Sequence, residues 1–210
     1  RFRCWKKERT QPCICISSSG MRTERAFHPA SMPASEKNLF VYMPYMIRRV
    51  NEDDGKGIAE IYNEYVLNST ASFEMQPVSE KEMKDRISAI GSRYPYWVCE
   101  IDNAVVGYCY ARPWKERAAY NKTLETTVYL SPRYQGKGIG RLLMSKLIEE
   151  CAKRGDHVLI ACITAGNEAS RMFHSKLGFK QVSLFESVGI KFGCELDVAD
   201  YELQLTSVLK

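Results

Sequence analysis

The sequence predicts a mixed α/β (α+β) fold, with one twisted sheet of about seven strands flanked by about four helices. Three observations support this prediction. Short apolar runs recur along the chain, as they do in strands, and longer segments repeat apolar residues at helical spacing. The first strands are joined by a tight turn, whereas later ones are separated by a helix. The sheet should therefore contain both antiparallel and parallel neighbours.

The predicted strands are runs rich in β-branched and aromatic residues between turn residues. They lie at Tyr45–Val50, Trp97–Ile101, Ala104–Ala111, Leu124–Leu130, His157–Ile163, Phe179–Phe185 and Cys194–Leu205. The second and third should form a hairpin, because Asp102-Asn103 is a two-residue turn sequence. The last strand changes the phase of its apolar alternation near Ala199-Asp200, which predicts a bulge there.

The predicted helices have an apolar face and recognisable ends. They lie at Asp54–Leu67, 79–91, 139–155 and Asn167–Leu177. The second should begin with a capping box, in which Ser79 and Glu82 satisfy each other's backbone N–H groups. The third is the longest and follows a run of closely spaced glycines.

Composition excludes several classes of protein. No apolar run approaches the roughly 20 residues that span a bilayer, so a transmembrane protein is excluded. Eight cysteines among 210 residues are too few for a disulfide scaffold, and none stands with histidine at zinc-binding spacing. Cys99, Cys109 and Cys162 lie in apolar strand segments, which predicts buried thiols in a reducing compartment.

Charge separates an N-terminal extension from the rest of the chain. Residues 1–45 hold eight basic and three acidic residues and so account for the whole net charge of +5. They lack a steady period and carry serine, glycine and proline, which predicts disorder. Residues 46–210 are neutral and should form the folded domain, which argues against a nucleic-acid partner.

The extension allows several interpretations. It is basic and poor in acids, as organelle transit peptides are. It could equally be an unstructured tail without an address, or an upstream stretch that is not part of the natural protein. We expect a cytoplasmic protein, with import into an organelle through residues 1–45 as the alternative.

A glycine-rich loop predicts a phosphate site. It runs from Gln135 to Gly140 between a strand and the longest helix, where backbone N–H groups and the helix N-terminus favour an anion. Arg141 follows Gly140, so the Walker pattern with its Lys-Ser/Thr is absent. The third glycine of the dinucleotide fingerprint is also missing. A different phosphate-containing ligand is therefore expected.

The residues of this loop, Gln135-x-x-Gly138-x-Gly140, resemble the signature of the GNAT superfamily of acetyl-CoA-dependent N-acyltransferases. A second matching segment follows at the superfamily's spacing, with Asn167-Glu168-Ala169-Ser170 and Lys176-Leu177-Gly178-Phe179. The resemblance covers about residues 46–205. It implies the GNAT fold, in which the sheet is splayed to admit acetyl-CoA, and it implies no metal.

A closer resemblance is to phosphinothricin and methionine sulfone N-acetyltransferase-like proteins. The segments that carry it are Arg93-Tyr94-Pro95, Ala111 to Arg117, Glu125 to Arg133, and Val188 to Gly193. It implies acetyl transfer to the amine of a small amino-acid-like acceptor by direct attack in a ternary complex. It also implies a homodimer. A peptide or protein N-acetyltransferase on the same fold, and a non-catalytic CoA sensor, are the alternatives.

The resemblance also assigns candidate catalytic residues. A protonated amine must lose its proton before it attacks a thioester, so a general base is needed. Glu125, before the glycine loop, matches the subfamily's base; its alternative role is a solvated or ion-paired strand carboxylate. His174 stands where many GNAT enzymes have tyrosine, although the closer subfamily also has histidine. It is expected to act as an acid, to contact CoA or to pack structurally.

Binding residues follow from the same resemblance. The backbone of Val128, Tyr129 and Leu130 should pair with the amides of pantetheine, with Asn167 and Ser170 as side-chain partners. The pyrophosphate should lie on the loop and its basic neighbours, which are Arg133, Gln135, Gly136, Lys137, Gly138, Ile139, Gly140 and Arg141. Arg117 is the candidate for the acceptor carboxylate, and its alternative role is a surface ion pair. The aromatic candidates for the acceptor pocket, which could instead be ordinary core residues, are Phe73, Trp114 and Tyr120.

Overall fold

The computed structural model describes residues 44–205 of the 210-residue chain. The predicted N-terminal extension lies outside the described residues, apart from its last two positions. The prediction of disorder and the interpretations of its targeting therefore concern residues that the structure does not describe.

The described part contains eight strands and four α-helices. The strands are β1 (Tyr45–Arg49), β2 (Tyr96–Ile101), β3 (Ala104–Pro113), β4 (Thr123–Leu130), β5 (Val158–Thr164), β6 (Lys180–Gln181), β7 (Phe185–Lys191) and β8 (Cys194–Gln204). The helices are α1 (Gly55–Asn68), α2 (Glu80–Gly91), α3 (Ile139–Lys153) and α4 (Glu168–Lys176). All eight strands form one sheet in the order β1-β2-β3-β4-β5-β8-β6, and β7 also pairs with β8. The predicted α+β class is confirmed.

The sheet is mixed, as expected. β4 and β5 pair in parallel, while the other pairs of strands in residues 44–205 are antiparallel. The β2–β3 hairpin turns at Asp102 and Asn103, which both have positive φ, as a tight hairpin turn requires. The chain crosses from β4 to β5 through α3, as parallel neighbours require.

The start of α2 contains half of the predicted capping box. Ser79 Oγ accepts a hydrogen bond from the Glu82 backbone N–H at 3.1 Å. The Glu82 carboxylate instead pairs with Arg86 one turn later, at 2.6 Å. The Glu82 carboxylate, which the capping box would have placed on the Ser79 backbone N–H, therefore forms an ion pair with the guanidinium at i+4 instead.

Helices cover both faces of the sheet, and neighbouring residues of β3 show this directly. Tyr108 packs in the core that α1 and α2 form with β2 and β3. The next residue, Cys109, points to the opposite face, where its thiol donates to the Leu143 carbonyl of α3 at 3.3 Å. Because strand side chains alternate, one strand contributes to both layers of the core.

Two predictions for the C-terminal region are wrong. The strand predicted over Phe179–Phe185 is only the two-residue β6, and Phe185 begins a separate strand, β7, which the sequence analysis did not predict. The side chains of β7 are almost all exposed, so its sequence lacks the alternation of a half-buried strand.

The predicted bulge is also in the wrong strand. β8 pairs with β5 without interruption from Val198 to Gln204. The irregularity lies in β7 between Phe185 and Gly189, where Ser187 has a φ of 52°. Because β8 is regular here, Val198 faces one side of the sheet, where it is half-buried, and Ala199, Tyr201 and Leu203 face the other, where they are buried.

The burial of the cysteines differs from the expectation at one position. Cys99 and Cys109 are buried, but Cys162 on β5 is exposed. It lies beyond Ile160, the last residue of β5 that pairs with β4. The apolar sequence of β5 does not show where its pairing with β4 ends, and so it does not predict the exposure of Cys162.

Candidate active site

The central feature of the site is the divergence of β4 and β5. Their pairing is limited to Thr123–Val158, Leu124–Leu159 and Glu125–Ile160, although both strands continue beyond it. From Thr126 onward, β4 keeps β3 on one side but no longer pairs with β5 on the other. Unpaired backbone groups of this kind can bind an extended ligand that carries amides, as if it were an added strand.

Glu125 stands where the two strands separate. Its side chain is 19% exposed and pairs with Arg112 of β3, whose Nη2 donates to Oε1 at 2.7 Å. The two residues are directly opposite in the β3–β4 register. Burial lowers the pKa of Arg112, but the charge and the hydrogen bond of Glu125 raise it by more, so the net shift is upward. The carboxylate is thus oriented by a guanidinium and remains partly exposed.

The glycine loop follows β4 and opens α3. Gly138 is the N-cap of α3 and has a φ of 83°, and Gly136 has a φ of 72°. A Cβ built at either position would meet no atom within 4 Å, so their surroundings are open. No side chain caps the first backbone N–H groups of α3. These donors lie at the positive end of a helix, which suits an anion such as a phosphate.

Basic residues surround this helix end. Arg133, Lys137 and Arg141 are all exposed. The Lys137 ammonium lies 5.1 Å from the centre of the Tyr134 ring. The three charges increase the attraction of the loop for an anion.

Gln135 connects the loop to α1 through its side chain. Its Nε2 donates to the Tyr65 hydroxyl at 2.8 Å, and that hydroxyl donates to the Leu130 carbonyl at 2.6 Å. In the sequence, Tyr65 stands at helical spacing from Ile58 and Ile61 of α1. Its hydroxyl joins the end of β4 to the loop, a contact across 65 residues that helical spacing cannot reveal.

α4 contains Asn167, Ser170 and His174. Asn167 is the N-cap, and its Oδ1 accepts from the Ser170 backbone N–H at 3.1 Å. His174 is 4% exposed, and its Nδ1 donates to the Ser170 carbonyl at 2.9 Å. Its ring lies between Phe173 and Phe179, with edge contacts to both.

Burial determines the charge of His174. Removal from water lowers the pKa of the imidazole more than the bond to Ser170 raises it. The lowered pKa disfavours the protonated ring, and the acid, contact and packing roles stay predictions.

Three of the predicted acceptor residues lie together between β3 and β4. Trp114 and Tyr120 make an edge-to-face contact, with ring centres 5.3 Å apart. Arg117 is exposed at the start of the short 3₁₀ turn that contains Tyr120. Phe73 is not in this group. It lies between α1 and α2, and its ring packs so closely on Gly189 of β7 that a Cβ there would overlap it.

Two cations of this region, Arg112 and Lys115, were not predicted from the sequence. The Lys115 ammonium lies 3.9 Å from the centre of the Trp114 ring. Arg112 pairs with Glu125, as described above. Both residues lie within the segment from Ala111 to Arg117 that carried the closer resemblance, and extending the β3–β4 register would have paired Arg112 with Glu125.

Residues 44–205 contain no group of three or more His, Cys, Asp or Glu side chains that could hold a metal ion. In the same range, no helix is both long enough and apolar enough to cross a membrane.

Comparison with known proteins gives the family. The sequence matches the acetyltransferase (GNAT) family over residues 58–179, more than half of the chain. It is 40% identical over 153 residues to a phosphinothricin N-acetyltransferase of Alcaligenes faecalis, a match that covers 72% of this chain and 78% of the relative. The chain belongs to this family. The acetyl-CoA-dependent N-acetyltransferase class that the resemblance implies is therefore confirmed.

Two further comparisons agree. The chain is 37% identical to an L-methionine sulfoximine/L-methionine sulfone acetyltransferase of Salmonella typhimurium, over 76% of this chain and 94% of the relative. A crystal structure of a phosphinothricin acetyltransferase from Sinorhizobium meliloti in complex with acetyl-CoA is 40% identical, with a TM-score of 0.74. That similarity covers 77% of this acetyltransferase and 89% of the crystallised chain.

Proposed function

We propose that this acetyltransferase, through a domain spanning residues 46–210, moves the acetyl group of acetyl-CoA to the primary amine of a small amino-acid-like acceptor. Phosphinothricin, methionine sulfone and methionine sulfoximine are the acceptor types. The divergence of β4 and β5 at Glu125 carries the proposal, because it puts a carboxylate beside an open strand edge that leads to an anion-binding loop. The names of the relatives support this acceptor class.

The donor would lie along β4. Its pantetheine would pair with the backbone of Val128, Tyr129 and Leu130, and its pyrophosphate would rest on residues 133–141. The Leu130 carbonyl already accepts from Tyr65 and one edge of β4 pairs with β3, so the other backbone groups on the edge away from β3 are the available partners. Asn167 uses its oxygen to cap α4, which leaves its amide N–H groups for the donor. Ser170 would lie beside it.

The acceptor would bind near Trp114, Arg117 and Tyr120, with Phe73 as a further wall. A guanidinium holds a carboxylate through two parallel hydrogen bonds, which suits Arg117 to the carboxylate of an amino acid. Arg112 forms an ion pair with Glu125, whereas Arg117 is exposed and could bind a ligand.

The proposed reaction is a direct transfer in a ternary complex. The amine nitrogen attacks the thioester carbonyl carbon, the C–S bond breaks, and CoA leaves as the thiolate. Glu125 accepts the proton that the amine loses, directly or through a water molecule. Its pairing with Arg112 holds the carboxylate in one orientation while part of it remains accessible. The buried His174 would protonate the departing thiolate, contact the donor or support α4.

A thiol-release assay tests the acceptor class. Purified protein and acetyl-CoA are mixed with free amino acids, phosphinothricin, methionine sulfone, methionine sulfoximine and, separately, peptides. We expect thiol release with amino-acid-like acceptors and their N-acetylated products in mass spectra. Turnover with peptides alone would favour a peptide acetyltransferase. Binding of acetyl-CoA without turnover on any amine would favour a sensor and refute the proposal.

The Tyr65 hydroxyl should contribute to donor affinity. Tyr65→Phe removes the hydroxyl that bonds both Leu130 and Gln135. The glycine loop then loses the hydrogen bonds that link its Gln135 side chain to the end of β4. One to two lost hydrogen bonds correspond to roughly 3- to 10-fold in affinity. We expect the KM for acetyl-CoA to rise by that factor while the KM for the acceptor stays constant. Tyr45→Phe, on exposed β1, is the control, and an unchanged KM for acetyl-CoA in Tyr65→Phe would contradict this role.

A homodimer is proposed on the basis of an exposed apolar surface. Phe185, Val188, Ile190 and Phe192 are 49%, 57%, 70% and 59% exposed in and beside β7. Apolar side chains clustered on one strand favour a protein partner, and a second copy is the partner that the resemblance implies. Light scattering should give twice the mass of one chain, and Ile190→Glu should give the single-chain mass. A wild-type protein that remains single at micromolar concentration would contradict the dimer.

A further inference from the structure

A short segment between α1 and α2 is held by side chains from three different strands. We call Ser69–Ser72 the strap. Three consecutive carbonyls of the strap accept hydrogen bonds: Thr70 from Thr164 Oγ1 at 2.6 Å, Ala71 from the Tyr129 hydroxyl at 3.0 Å, and Ser72 from Lys191 Nζ at 2.6 Å. Loop carbonyls are more often left to water, so this set of bonds fixes the backbone of the strap.

The strap bridges the two strands that diverge. Tyr129 lies on β4 and Thr164 on β5, both beyond Glu125–Ile160, the last pair that joins these strands. Each is therefore on its own side of the cleft, and the strap connects them through adjacent carbonyls. The position of the strap is thus set by the walls of the cleft.

The strap leads directly into Phe73, a proposed acceptor residue. Lys191 holds the Ser72 carbonyl, which immediately precedes Phe73. Two residues before Lys191 on the same strand, Gly189 provides the surface on which the Phe73 ring packs. β7 therefore fixes both the backbone that precedes Phe73, through Lys191, and the position of the Phe73 ring, through Gly189.

Lys191 is an unusual residue for this position. It is 2% exposed, although a buried ammonium group is costly unless it is well bonded. Loss of water lowers its pKa, and Glu74 opposes this shift. The Tyr62 hydroxyl bonds Ser72 Oγ at 2.8 Å, so α1 helps to hold the same residue.

We propose that Lys191 is a positioning residue for the acceptor, and that it acts by fixing the strap and thereby the place of Phe73 in the acceptor pocket. The inference rests on the proposed function, because it requires Phe73 to contact the acceptor. It concerns acceptor binding and leaves donor binding and the proton transfer to other residues.

The kinetic test is Lys191→Met, which keeps a long side chain but removes the donor. A hydrogen bond from a charged group is worth roughly tenfold or more in an equilibrium, so we expect the KM for the acceptor to rise about tenfold. The KM for acetyl-CoA should stay within about twofold, because the donor residues keep their contacts. Lys180→Met, on exposed β6, is the matched control and should change neither KM. A parallel fall of kcat for all acceptors with both KM values unchanged would overturn the proposal.

A second measurement does not depend on turnover. Hydrogen exchange of residues 69–74 should be faster in Lys191→Met than in the wild type, while exchange in α3 is unchanged. Equal exchange of the strap in both proteins would overturn the proposal. If the wild type acetylates no small amine, the proposed function fails, and the exchange result still decides whether Lys191 holds the strap.

Thr164→Val provides a variant that should fold, because valine has nearly the shape of threonine. It removes the bond to the Thr70 carbonyl from the other side of the cleft. We expect the same selective rise in acceptor KM, about threefold for a neutral hydrogen bond. If Lys191→Met does not fold, this variant decides the matter, and an unchanged acceptor KM in Thr164→Val would overturn the proposal.

Discussion

Replacing Glu125 with glutamine should lower kcat at pH 7 by about 100-fold or more, the usual contribution of a general base. Glutamine keeps the shape and an acceptor oxygen for Arg112, so the local geometry should survive. It cannot take the proton of the amine. Affinity for acetyl-CoA should remain unchanged, since Glu125 is not among the proposed donor contacts.

The pH dependence of the same variant makes the test more specific. As pH rises, more of the acceptor amine loses its proton to solvent, and the need for a protein base declines. The ratio of wild-type to Glu125→Gln rates should therefore be smaller at pH 9 than at pH 7. Glu60→Gln, on the exposed side of α1, should have the wild-type rate throughout. A Glu125→Gln rate within about twofold of wild type at pH 7 would exclude Glu125 as the base, since a general base contributes far more.

Truncating Leu143 to alanine should lower the free energy of unfolding by about 3 kcal/mol, which is typical of a fully buried leucine. Leu143 is 0% exposed, in the part of α3 that packs beneath the β3–β4 pair. Its side chain is also a neighbour of Gly107, where β3 passes the end of β4. The melting temperature should fall by about 6–12 °C for a domain of this size.

The neighbouring residue offers a matched control. Leu142 is on the same turn of α3 but is 38% exposed. Leu142→Ala should cost less than about 1 kcal/mol, because little apolar surface is lost from the interior. Chemical denaturation of the two variants gives both values. Equal losses for Leu142 and Leu143 would contradict the assignment of the buried face.

The parts of the site that the sequence predicted well are local in the chain. The glycine loop, its position between a strand and α3, and Asn167 at the start of α4 depend on residues within a few positions of one another. A hydrogen-bonded turn or a helix cap is set by such neighbours. The chemistry of the loop could therefore be predicted before its surroundings were known.

The parts that the sequence did not predict depend on distant contacts. Lys191 bonds a residue 119 positions earlier, and Thr164 bonds one 94 positions earlier. No spacing rule connects such residues. β7 was missed for a related reason, because its exposed side chains lack a buried face that would give it a period. The burial of His174 likewise depends on how α4 packs against residues outside its own sequence pattern.

The brief pairing of β4 with β5 also bears on how the chain folds. β1–β4 form pairs between successive strands, and β5 pairs with β8 on the far side. The two parts of the sheet meet along a seam of three residue pairs, with α3 as the crossover between them. Contacts between near neighbours form faster than distant ones, because less chain must be ordered to close them. The β1–β4 part should therefore form early, and the joining of the seam should be a late step in folding.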